Sequence, residues 1–81
     1  MTPNEFCHIA MAEYERQWSA AHGHQERHPL RVKMSLLAQI MDEAGDPEEF
    51  GRLLGGGCDS DDPLRVLLCN ELYPRWQASQ Q

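Results

Sequence analysis

Residues suited to β-sheet are scarce in this chain. Of 81 residues only five are β-branched, namely Thr2, Ile9, Val32, Ile40 and Val66. Leu, Ala, Met, Gln, Glu and Arg dominate instead, and these residues favour helix over strand. No stretch approaches the ~20 consecutive apolar residues of a membrane span. The first residues also lack the basic and apolar regions of a secretory leader, so a cytoplasmic protein is expected. Cysteine is sparse and odd in number (Cys7, Cys58 and Cys69), which fits thiols used as small hydrophobes in a reducing compartment rather than a disulfide framework. At 81 residues the chain can bury roughly 60–65% of its unfolded surface. That suffices for a single core, and residues 1–81 are read as one helical domain.

Helix starts are abundant. Thr2-Pro3-Asn4-Glu5 combines a capping hydroxyl, a proline at the first helical position and a glutamate able to close a capping box. Behind it Cys7, Met11, Tyr14, Trp18 and Ala21 recur at spacings of 4, 3, 4 and 3, one face of a helix. Pro29 is expected to open a second helix, with Leu30, Met34, Leu37, Met41 and Ala44 on one face and Leu36 and Ile40 beside it. Asp46-Pro47-Glu48-Glu49 and Asp62-Pro63 repeat the start signal. The second of these leads into Leu64, Leu67, Leu68 and Leu72, and Pro74 is expected to end that helix near Tyr73. The expected fold is all-α: a compact four-helix domain with helices near 3–22, 29–44, 47–54 and 63–73, short loops and a flexible C-terminal tail. Leu37, Met41 and Leu68 are expected in the core. The apolar arcs of the first two helices exceed what two short helices cover, so a homodimer through helix one or the tail around Trp76 is also expected.

Charge is unevenly distributed. The chain carries −6 overall, yet residues 1–41 are neutral, with Arg27, Arg31 and Lys33 beside three histidines (His22, His24 and His28). Residues 42–62 hold Asp42, Glu43, Asp46, Glu48, Glu49, Asp59, Asp61 and Asp62 against Arg52 alone. Helix dipoles account for Asp46, Glu48, Glu49 and Asp62, but not for Asp42, Glu43, Asp59 or Asp61.

Motifs for chemistry are thin. His22, His24 and His28 contain one zinc-like pair, His24 and His28, where zinc takes four ligands. Asp59, Asp61 and Asp62 lack the terminal glutamate of a calcium loop, and Pro63 falls at a ligand position and Leu64 at the position that needs glycine. The glycines between Gly51 and Gly57 have no Lys-Ser/Thr pair to hold phosphate. Cys58 is the one suggestive nucleophile, and Asp59 beside it disfavours the thiolate. No cofactor, no metal and no enzymatic activity are expected.

His28-Pro29-Leu30-Arg31 opening an apolar helix, followed by Pro47-Glu48-Glu49-Phe50-Gly51-Arg52-Leu53-Leu54-Gly55, resembles the scaffold of ArsR-type winged-helix repressors. That resemblance implies a helix-turn-helix arrangement and DNA binding. The reading helix over 62–73 would then carry Arg65 as its groove contact, and no wing strands follow. The leading expectation is instead a protein-binding module: an inhibitor or adaptor directed at a basic protein partner, with no direct contact to nucleic acid or membrane. In type it resembles the small acidic anti-CRISPR and anti-restriction proteins of phages and mobile elements. Its expected contact residues are Asp42, Glu43, Asp46, Glu48, Glu49, Asp59, Asp61 and Asp62, with Tyr73 and Trp76 as apolar anchors.

Overall fold

The computed structural model describes residues 1–56 and 61–81, in which all regular structure is helical. The helices are α1 (Pro3–Ala20), α2 (His24–Glu43), α3 (Pro47–Gly55) and α4 (Pro63–Ser79). Each of the three proline-opened starts is capped as the sequence implies. Thr2 Oγ1 accepts from the Glu5 amide at 3.2 Å while Glu5 accepts from the Thr2 amide at 3.4 Å, a complete capping box. Asp46 accepts from the Glu49 amide at 2.8 Å, and Asp62 from the Leu64 amide at 3.0 Å. Cys58 and Asp59 lie outside the described residues.

Two boundaries differ from the sequence expectation, both at a proline. The helix expected to open at Pro29 opens at His24, so residues 24–28, expected to lie between the first two helices, are helical. Gly23 supplies the turn with a φ of +86°, a backbone angle that suits glycine. Glu26 reaches back to accept from the His22 amide, and Arg27 stacks over the Trp18 ring at 5.3 Å. At the other end, α4 runs through Pro74 to Ser79, so the expected flexible tail is helix. An interior proline costs ~3 kcal/mol. Burying a tryptophan of ~200 Å² returns about 5 kcal/mol, and Trp76 is only 3% exposed.

Trp76 closes the core. Its ring stands edge-on to Phe50 at 4.8 Å and to Phe6 at 5.2 Å, and Phe6 meets Phe50 at 6.0 Å. These three rings join α1, α3 and α4 in the T-shaped geometry that aromatic quadrupoles favour. Gly51 makes room for the indole, since a Cβ there would lie 3.0 Å from Trp76 Nε1. Leu37 and Leu68 are fully buried, as expected. Met41 is only half-buried and lies outside the innermost core. At 100° per residue it stands on the rim of the arc centred on Leu30, Leu37, Ile40 and Ala44.

Buried polar groups add a pH dependence. Burial pushes the Cys7 thiol up from 9.0 to about 11. Tyr14 is also raised, first by burial and then by the bond its hydroxyl donates to Glu71 at 2.7 Å. In both cases the unfolded chain loses its proton first. Stability is therefore fully present below about pH 9 and declines as pH rises through the folded values. Urea midpoints measured from pH 7 to pH 11 should fall above pH 9, and a double variant Cys7→Ala/Tyr14→Phe should flatten most of that fall. An equally steep fall in the double variant would mean that other groups cause it.

Candidate functional site

The acidic residues are brought together by helix ends. Asp42 and Glu43 finish α2, and only Ala44 and Gly45 separate them from Asp46, Glu48 and Glu49 at the start of α3. Arg65, one turn into α4, donates to Glu43 at 3.4 Å and ties the start of α4, with Asp61 and Asp62, to the end of α2. Seven of the expected contact acids thus belong to one end of the molecule. Asp42, Glu43, Asp46, Glu48, Asp61 and Asp62 are exposed there, and Glu49 is half-buried. Asp46 and Asp62 each use an oxygen in a cap, and Glu43 is in an ion pair. Asp42, Glu48 and Asp61 enter none of the ion pairs found among the described residues.

The aromatic anchors fare differently. Trp76 is not an interface anchor in this fold, because Phe6 and Phe50 enclose it. Tyr73 is half-buried and lies against Gly55, where a Cβ would meet its ring at 3.1 Å. For the same reason Trp76 is not free to serve as the contact of a homodimer through the tail.

A second surface is not apparent from the sequence. α1 and α2 form an antiparallel hairpin whose outer groove, about 720 Å³, is lined by Met11, Glu15 and Trp18 from α1 and by Arg31, Met34 and Ala38 from α2. Read along the sequence, Met11, Trp18 and Met34 look like core. In the fold they are only partly buried and pack on the rim of the core. The groove continues past Trp18 to His24, Arg27 and His28. The His24 and His28 rings are 5.5 Å apart and tilted. Among the described residues, no group of three or more His, Cys, Asp and Glu side chains is placed to hold a metal ion.

A helix-turn-helix arrangement fits these positions poorly. Arg65 and Arg75 are the bases of α4, and both are held in ion pairs, Arg65 with Glu43 and Arg75 with Glu13 at 2.6 Å. Residues 56–62 separate α3 from α4, longer than the 3–4-residue turn of that motif. No strand follows among the described residues.

No protein-family model, no curated protein and no solved structure matches the chain. Among the described residues no helix is long and apolar enough to cross a membrane.

Proposed function

We propose that the protein is a non-enzymatic binding module of the cytoplasm that inhibits or adapts a basic macromolecular partner through its acidic end. One observation carries this reading: three helix termini converge their acids on one end, and Asp42, Glu48 and Asp61 have no ion-pair partner there among the described residues. Such a concentration of one sign steers an oppositely charged surface and repels a nucleic-acid duplex. A groove that normally holds nucleic acid has the complementary charge, so a nucleic-acid-handling protein is the favoured class of partner. An inhibitor of this type works by occupying the groove. It needs no chemistry of its own.

The test is kinetic. Glu48→Lys, Glu49→Lys, Asp59→Lys and Asp61→Lys together leave the caps at Asp46 and Asp62 in place. Association with a basic partner isolated from the native host should slow about 10- to 1,000-fold at low salt. The difference should shrink as ionic strength shortens the Debye length toward ~8 Å at 0.15 M. Unchanged association by a variant whose circular dichroism is intact would overturn the proposal. Salt-steep binding of the native protein to a generic DNA duplex would favour the DNA-regulator reading, carried by the basic stretch 22–33.

A further inference from the structure

The outer face of α2 carries a pattern that the core does not explain and that meets the acidic end only at Asp42. Arg31, Ser35, Ala38 and Asp42 follow one another at spacings of 4, 3 and 4, the seam spacing of a helix that packs along another helix. At 100° per residue all four lie within about 60° of one another. Arg31, Ser35 and Asp42 are exposed and Ala38 is half-buried. Half-buried Met34 and Met41 flank the stripe on the side toward the core, and Met11 and Trp18 of α1 form the opposite wall with Met34.

The order of the charges on this stripe works against the helix that carries them. A helix favours acids in its first turns and bases in its last. In α2 the bases Arg27, Arg31 and Lys33 stand in the first half, while Asp42 and Glu43 occupy the last turn, which holds no base. Lys33 is paired with Glu71 and Glu43 with Arg65. Arg31 and Asp42 take part in none of the ion pairs found among the described residues.

The same order is self-complementary. Reversed end for end about the midpoint between Ser35 and Ala38, the stripe lays Arg31 on Asp42, Ser35 on Ala38, and Asp42 on Arg31. A two-fold axis performs this reversal, because an isologous interface sets the same patch against itself in opposite direction. We infer that α2 is a self-association surface, on which two copies of this chain pair antiparallel with the axis between Ser35 and Ala38. Arg31 of each copy then faces Asp42 of the partner subunit. The small residues at the centre let the helices approach, and Met34 and Trp18 supply apolar cover along the groove. The occupant is a second copy because the charges match this face itself: positive at one end, negative at the other, small in the middle. This pairing shares Asp42 with the acidic end, but the two tests stay distinguishable: the four reversals used for the acidic end leave Asp42 in place, and Arg31→Glu leaves the acidic end untouched.

Sedimentation equilibrium of the native chain at tens of micromolar should give twice the 9.3 kDa monomer mass. Arg31→Glu sets acid against acid at both ends of the pair, and Asp42→Arg sets base against base at both ends. Each variant alone should raise the dimer dissociation constant at least about ten-fold. Mixed together they should pair again, within about three-fold of the native constant, because the Arg31→Glu chain then carries two acids on the stripe and the Asp42→Arg chain two bases, so each end of the mixed dimer sets an acid against a base. Asp42→Arg puts a base in the last turn of α2, where the helix dipole favours it, and Arg31 is exposed two turns from the helix start, so each monomer should melt close to the native one. A native chain that stays monomeric at several hundred micromolar would overturn the inference. So would single variants that remain dimeric, or a mixture that fails to reassociate.

Discussion

Trp76→Ala is expected to remove ~3–5 kcal/mol from a fold whose whole stability is roughly 4–12 kcal/mol at this chain length. The loss is large because Trp76 is the meeting point of three helices. Its ring lies between Phe6 of α1 and Phe50 of α3, and it is reached only by continuing α4 past a proline. Without the indole, nothing compensates Pro74 and the last turns of α4 lose their reason to form. Ending the chain after Tyr73 should therefore be as damaging as the point substitution. Urea unfolding followed by circular dichroism measures both variants. A midpoint within error of the native one in either would mean that the last two turns of α4 do not close the core.

Leu37→Ala is the second large effect, at ~2–5 kcal/mol. Leu37 is fully buried at the middle of α2, the helix that packs against each of the other three. With no exposure to solvent, the site has little room to collapse around the cavity left behind. The comparison that isolates burial is Met41→Ala, one turn away on the rim of the same arc. It should cost clearly less, and equal losses in the two variants would show that the buried face of α2 has been assigned wrongly.

The helices are legible because their starts are chemically explicit. Thr2, Asp46 and Asp62 each precede a proline, and each caps the helix that follows. The two misplaced boundaries share one cause. Along the sequence, Pro29 and Pro74 weigh only by the local hydrogen bond each removes, whereas contacts with other helices decide the outcome. Arg27 finds Trp18 across the turn, and Trp76 finds rings 70 and 26 residues away, at Phe6 and Phe50. The acidic end is visible as a composition, because its members are nearly contiguous; what the sequence lacks is the Arg65–Glu43 contact that carries Asp61 and Asp62 to the same place. The groove between α1 and α2 is hidden for the opposite reason. Apolar periodicity identifies the sector of a helix that turns inward, but not how far round neighbouring helices cover it. Met11, Trp18 and Met34 fall in the uncovered margin.

The amide of Gln80 donates to the carbonyl of Met1 at 3.0 Å, so the two ends of the described chain touch. Topologically the four helices make an almost closed circuit, and the cut in that circuit has no privileged position. A short linker could seal it there and new termini could be opened at residues 21–23, where the chain is partly or fully exposed. Such a rearranged chain would keep all four helices while changing the order in which they are synthesised. The same adjacency means that dyes attached at residues 1 and 81 would sit side by side while the protein is folded, so their separation would report unfolding directly.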